Sequence, residues 1–256
     1  MSNAHGKFTW YELMTTDMAG AEAFYANVIG WKTRDASMPD LPYVMFSAGD
    51  TPVAGLMSLS PEECERGARP GWIGYIGVDD VDAWAERVGQ KGGAVLRAAE
   101  DVPAIGRFAV VADPQGAPFV LFKGKGDLQE PAAMMGPGQP GWHELYATDL
   151  EPVFAFYAEL FGWAKDEALD MGAMGTYQLF SYGGNAVGGM MTKPGHMPEP
   201  FWLYYFAVDG IDAAKGRVEA GGGQVLFGPQ EVPGGVFILQ CLDPQGAMFA
   251  LVGPRG

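Results

Sequence analysis

The sequence predicts an α+β fold of two tandem domains, each made of two βαβββ units, and three observations carry that prediction. The chain matches itself at an offset of about 130 residues. Trp10-Tyr11-Glu12-Leu13 recurs as Trp142-His143-Glu144-Leu145, Phe24-Tyr25 with Gly30-Trp31 recurs as Phe156-Tyr157 with Gly162-Trp163, and Asp113-Pro114-Gln115-Gly116-Ala117 returns unchanged as Asp243-Pro244-Gln245-Gly246-Ala247. Each half divides again into two similar quarters, every one opening with a short apolar strand, then an Asp, then a segment of helical period. Finally, 256 residues at 48% hydrophobic and 18% charged suit one large core-forming domain or two ordinary ones and exclude a disordered chain.

The elements follow in order. Tyr11 to Thr15 reads as a strand, Asp17 as a helix N-cap, and Met18 to Ile29 as a helix stopped by Gly30. Strands are expected around Lys32 to Asp35, Tyr43 to Ala48 and Val53 to Ser58. The second unit opens with Trp72 to Val78, caps its helix at Asp79 or Asp80, and stops at Gly92-Gly93. Its last two strands, Arg107 to Ala112 and Pro118 to Lys123, are joined by the D-P-Q-G turn, in which Pro fixes φ and Gly closes the reversal. In the second half Leu150, Phe154, Tyr157 and Phe161 form the apolar stripe of a helix lying on a sheet. Lys123 to Gly141, rich in Gly and Pro without apolar period, reads as a linker. The domains expected are therefore 5–124 and 140–254, with 125–139 between them.

Sixteen Lys and Arg against thirty-one Asp and Glu leave a net charge of −15, which repels phosphate backbones and anionic lipid heads. No nucleic-acid or membrane partner is expected. Apolar runs such as Phe201 to Val208 fall far short of the ~20 residues needed to span a bilayer, and the N-terminus lacks a basic then apolar leader, so a cytoplasmic protein is expected. Cys64 and Cys241 stand apart, with neither disulfide nor thiolate-zinc spacing. Phosphate-binding, nucleophile-elbow and H-E-x-x-H motifs are absent, and Gly221-Gly222-Gly223 follows a helix, as a C-cap turn does.

Strand, Asp-capped helix with F-Y near its middle and G-W at its end, three strands, then D-P-x-G before the final strand: this order resembles the vicinal oxygen chelate superfamily. That group includes glyoxalase I, bleomycin-resistance proteins, fosfomycin-resistance proteins and extradiol dioxygenases. The resemblance covers nearly the whole chain, twice, and implies two glyoxalase-like domains whose paired units each curl into an eight-stranded cup. In the family's enzymes a divalent metal at the bottom of the cup chelates two adjacent substrate oxygens, held by His, Glu or Gln on the first and last strands of the units. Carried onto this chain, those positions fall at Trp10 and Trp142, at Gly55 and Gly189, at about Ile73 and Leu203, and at Val120 and Ala250. None of these side chains binds a metal. Allowing for a slip of register, the first strands alone offer Glu12, His143 and Glu144, whereas a divalent site usually needs three or four ligands. Tyr11 stands where the second half has His143, so that histidine lies outside the repeated design and is expected to be a packed or surface residue. No metal and no other cofactor is expected.

Alternation along a strand puts Trp10, Glu12 and Met14 on one face, as it does Trp142, Glu144 and Tyr146, and the resemblance turns that face into the cup. Tyr75 and Tyr205 are expected to face inward from the opposing strands, with Met57 and Met191, then Tyr43 and Tyr177, as walls. A carboxylate enclosed by apolar groups pays for desolvation unless a partner holds it ionised. Glu12 and Glu144 are thus the candidates to accept hydrogen bonds from a ligand or to act as a base, while a structural pairing with Arg34 or Arg97 is the plain alternative. Trp10 and Trp142 offer faces for stacking or for a cation. Trp31 and Trp163 are expected to pack the helix ends onto the sheets. The expected function is metal-free binding of a small aromatic or amphipathic molecule by a monomer or homodimer. The alternatives are a lyase, isomerase or dioxygenase-type enzyme using Glu12 and Glu144 or an unforeseen divalent metal site, and a purely structural or interaction role. How the four units pair is left open by the sequence.

Overall fold

The computed structural model describes residues 4–39, 41–125 and 134–256. Residues 126–133 of the expected linker lie outside the described residues. The first quarter runs β1 (Phe8–Thr15), α1 (Met18–Ile29), β2 (Lys32–Asp35), β3 (Val44–Ala48) and β4 (Thr51–Ser58), followed by a short helix α2 (Pro61–Glu65). The second is β5 (Gly71–Gly77), α3 (Val81–Gln90), β6 (Ala94–Val102), β7 (Gly106–Ala112) and β8 (Pro118–Gly124). The third comprises β9 (Pro140–Ala147), α4 (Leu150–Phe161), β10 (Ala164–Asp170), β11 (Thr176–Tyr182) and β12 (Asn185–Thr192). The fourth is β13 (Phe201–Ala207), α5 (Ile211–Ala220), β14 (Gln224–Val232), β15 (Val236–Leu242) and β16 (Met248–Gly253). Two eight-stranded mixed sheets result, ordered β2-β3-β4-β1-β5-β8-β7-β6 and β10-β11-β12-β9-β13-β16-β15-β14. Among the described residues no helix is long and apolar enough to cross a membrane.

Local chemistry sets the helix ends. Asp17 has extended backbone and accepts from the Gly20 amide at 3.0 Å, Asp80 does the same for Ala83 at 3.0 Å, and Gly30 closes α1 at φ 87°. The repeat weakens at the other two helices. Asp149 stands at the N-cap of α4 without a side-chain cap bond, the N3 residue being Pro152, which has no amide hydrogen, while Gln115 of the D-P-Q-G turn holds the segment just before the helix, its Oε1 accepting from the Thr148 and Asp149 amides at 2.6 and 2.9 Å. Helix α5 starts after Gly210, which has no side chain to cap with. The short α2 has no buried residue and so left no apolar period to read; a Ser60–Glu63 capping box holds it.

Packing groups the quarters across the repeat. One compact unit consists of Met1–Thr9, Ile73–Glu130 and His143–Trp202, and the other of Trp10–Trp72, Pro131–Trp142 and Leu203–Gly256. The repeated motifs account for this grouping. In the second unit the fully buried Tyr25 of α1 donates to Asp243 Oδ2 at 3.1 Å and accepts from Trp72 Nε1 at 2.9 Å, and its ring meets Phe249 edge-on. In the first, Tyr157 of α4 donates to Asp113 Oδ2 at 3.1 Å and accepts from Trp202 Nε1 at 3.0 Å. The tyrosine of each F-Y pair is thus held by the D-P-Q-G aspartate of the opposite half. Each aspartate also accepts from two amides of its own turn, Gln115 and Ala117 or Gln245 and Ala247. Burial pushes both carboxyls above the usual aspartate value, against those hydrogen bonds. Trp31 and Trp163 are buried at the helix ends and donate to the Gly138 and Gly6 carbonyls at 2.6 and 2.7 Å.

Candidate functional site

Within the second unit, β1 sends Tyr11 and Leu13 into the core, where Tyr11 meets Tyr204 edge-on, and turns Trp10, Glu12 and Met14 to the other face. The parallel pairing of β1 with β4 sets Glu12 opposite Gly55 and Met14 opposite Met57. Glu12 is only 3% exposed. Tyr43, just before β3, donates to Glu12 Oε2 at 3.3 Å, and Trp10 Nε1 donates to the Tyr43 oxygen at 3.1 Å. Because the phenol oxygen accepts from the indole, its own hydrogen is directed to the carboxylate. The pair needs the glycine beneath it: a Cβ at residue 55 would lie 1.9 Å from Tyr43 Oη and 2.4 Å from Glu12 Oε1. Gly55 is required here by space and not by a left-handed backbone.

The first unit repeats much of this arrangement on β9 and β12. Glu144, 6% exposed, stands opposite Gly189, and Tyr146 opposite Met191. The Tyr177 ring covers Gly189, where a Cβ would lie 2.2 Å from its Cζ. Tyr146 stacks on Phe201 with ring centroids 5.1 Å apart. His143 points to the opposite face from Glu144, into the core: it is 2% exposed, stacks on Phe8 at 4.1 Å, and its Nδ1 lies 2.7 Å from the Val187 carbonyl. That acceptor fixes the proton on Nδ1, and burial lowers the ring's pKa to about 4, so His143 is a neutral packed residue at ordinary pH.

The remaining candidates are placed less favourably. Tyr205 pairs with Ala250 in register, is 2% exposed, and accepts from Gln240 Nε2 at 3.0 Å. Tyr75 pairs with Val120, is half-buried, and packs edge-on against Phe122. Trp142, two residues before Glu144, and Met57 are half-buried, whereas Met191 is buried. Arg34 rests against the Met45 sulfur and Arg97 pairs with Glu100, which is where the two arginines considered for the glutamates go. The roles of Tyr43 and Tyr177 went unrecognised in the sequence beyond that of walls. The signal was present: a tyrosine twelve residues before a glycine, Tyr43 with Gly55 and Tyr177 with Gly189, stands in both halves. Gln240 had no such signal, because the repeat offers no second copy.

These residues do not fit a divalent metal. Each glutamate faces a glycine already covered by a tyrosine ring, and the register partners of Tyr75 and Tyr205 are Val120 and Ala250. Among the described residues no three His, Cys, Asp or Glu side chains come together to hold a metal ion. A separate surface hollow of about 430 Å³ at the start of α3, lined by Asp79, Asp80, Ala83, Trp84 and Arg87, includes none of the candidate residues.

Comparison with known proteins gives a consistent family signal. The profile of the Glyoxalase/Bleomycin resistance protein/Dioxygenase superfamily matches residues 7–121 and again 139–251. A Mycobacterium tuberculosis protein named "Putative glyoxylase CFP32" is 32% identical over 251 residues, covering 97% of this chain and 95% of its own. The anthracycline biosynthesis protein DnrV of Streptomyces peucetius is 32% identical over 263 residues, covering 97% and 94%. Among solved structures, the 2,3-dioxygenase LapB of Pseudomonas sp. KL28 superposes with a TM-score of 0.67 at 14% identity, covering 97% of this chain and 92% of its own. The Mn(II)-bound glyoxalase of Novosphingobium aromaticivorans gives 0.65 at 16% identity, covering 99% and 83%, a likeness of fold alone.

Proposed function

The chain belongs to the Glyoxalase/Bleomycin resistance protein/Dioxygenase superfamily, and from that premise we propose that it is a metal-free member that binds a small aromatic or amphipathic molecule on the Glu12 face of β1 and the Glu144 face of β9. The observation that carries this reading is the Trp10–Tyr43–Glu12 chain seated over Gly55. Where the family's enzymes place a ligand on the last strand of a unit, this chain has glycine, and aromatic groups occupy the space. A carboxylate with phenol and indole neighbours suits hydrogen bonding and stacking better than chelation. Two relatives are named for anthracycline biosynthesis, which puts polycyclic aromatic compounds first among ligands to screen.

Two measurements test the proposal together. Elemental analysis after incubation with Zn, Ni, Fe, Mn and Mg salts should find no near-stoichiometric metal; retention abolished by Glu12→Gln and Glu144→Gln refutes the metal-free reading. A thermal-shift screen of aromatic compounds should yield stabilising ligands whose effect is lost in those variants. A second reading, metal-free proton transfer, rests on the Tyr43–Glu12 hydrogen bond, since a phenol beside a carboxylate can pass a proton. It predicts turnover lost, with binding retained, in Glu12→Gln.

A further inference from the structure

We propose that the chain takes its ligand on the first half alone, as an aromatic ring seated beside Met14 and Gly71, where the second half closes the equivalent space with its own Tyr146 and Phe201. This rests on the binding reading above and narrows it to one of the two faces. The repeat allows the comparison position by position. Met14 lies opposite Met57 in register, as Tyr146 lies opposite Met191. Trp72 and Trp202 correspond, each donating to a buried tyrosine hydroxyl, and the residues just before them are Gly71 and Phe201. Met14, Met57 and Gly71 belong to one compact unit and Tyr146, Met191 and Phe201 to the other, so each set is complete within its own unit. In the second half Tyr146 and Met191 are 6% and 5% exposed, and the Phe201 ring stacks on Tyr146 with centroids 5.1 Å apart. In the first half neither position carries a ring. Met14, Met57 and Gly71 are all half-buried, and a Cβ built at Gly71 would meet only the Arg69 carbonyl oxygen, at 4.0 Å. The backbone of Gly71 is not left-handed, so its conformation does not demand a glycine; what the missing side chain leaves is room. The chemistry of the occupant follows from the second half, which fills this place with a stacked aromatic ring, and from Met14 and Met57, whose flexible thioethers adapt to an aromatic surface.

The test uses the intact chain with isotope-labelled methionine methyl groups, the signals of Met14, Met57 and Met191 being assigned by single substitution to leucine, and titrates it with 2-naphthol and with the strongest hit of the aromatic screen. Ring currents from the bound probe should shift the Met14 and Met57 methyl signals and leave Met191 where it is. Met14→Tyr combined with Gly71→Phe gives the first half the closure of the second and should weaken binding at least about tenfold. Tyr146→Met combined with Phe201→Gly should open the second half, so that the Met191 signal then moves as well. The three-signal comparison on the unaltered chain stands even if a variant does not fold. Equal movement at Met57 and Met191, or binding that leaves Met14 and Met57 unmoved, overturns the one-sided inference and leaves the binding reading intact. No movement with 2-naphthol, together with an empty aromatic screen, overturns the binding reading and this inference with it.

Discussion

Replacing Gly55 with alanine puts a methyl group 1.9 Å from Tyr43 Oη and 2.4 Å from Glu12 Oε1. Ordinary carbon–oxygen contact needs about 3.4 Å, so the phenol has to retreat by about 1.5 Å. That movement takes the Trp10–Tyr43 contact of 3.1 Å and the Tyr43–Glu12 contact of 3.3 Å out of hydrogen-bonding range. The first is a neutral bond contributing about 1 kcal/mol and the second a charge-assisted one contributing about 1.5–3 kcal/mol. Tyr43 is half-buried and can swing toward water, which recovers part of that, so Gly55→Ala should destabilise by about 2–3 kcal/mol. Urea unfolding followed by tryptophan fluorescence measures it. The decisive comparison is a double-mutant cycle: with Tyr43→Ala in place the obstructing ring is gone and only the 2.4 Å approach to Glu12 Oε1 remains, so Gly55→Ala should then cost clearly less than it does with the ring present. Additive losses in the cycle would refute the claim that the glycine exists to seat the tyrosine, and with it the account of why no metal ligand stands there.

Three further outcomes follow from the same structure. Tyr25→Phe removes a hydroxyl that serves both Trp72 and Asp243, leaving buried polar groups unsatisfied, and should cost about 2–4 kcal/mol, with Tyr157→Phe similar; losses below 1 kcal/mol in chemical unfolding would count against the cross-half network. Gln115→Ala should cost about 1 kcal/mol through loss of its hydrogen bonds to the segment that enters α4, seen as faster amide exchange at Thr148 and Asp149. His143 has a folded pKa of about 4 against 6.5 unfolded, so its contribution is complete above 6.5 and is lost as pH falls from there toward 4. The difference, 6.5 minus about 4, is about 2.5 units or roughly 3 kcal/mol. Proton NMR of the imidazole should show no titration above about pH 5, and a midpoint near 6.5 would overturn its buried assignment.

Periodicity and turn chemistry are local, and whatever depends on them was legible in the sequence. The offset repeat, the Asp17 cap with its Gly30 stop, and the D-P-Q-G reversal are enough to place the α+β elements and the doubled βαβββ plan. Glu12 and Glu144 could be singled out because alternation fixes which residues share a face and because few other chemically active groups stand on those strands. The helix starts at Asp149 and Gly210 were less legible, because neither has a side-chain cap bond: Pro152 leaves Asp149 no N3 amide to accept from, and Gly210 has no side chain.

What the chain alone determined is the set of elements and the identity of the side chains on each face, since both follow from backbone geometry within a few residues. What tertiary structure decided is partnership. The sequence shows two copies of F-Y and two of D-P-Q-G but not that each tyrosine takes the aspartate of the other half, because hydrogen bonds between residues 25 and 243 are free to form only once the chain has closed on itself. Likewise a glycine, a tyrosine and a glutamate on three separate segments look unremarkable singly, and only the register that sets Glu12 against Gly55 under Tyr43 turns them into one arrangement.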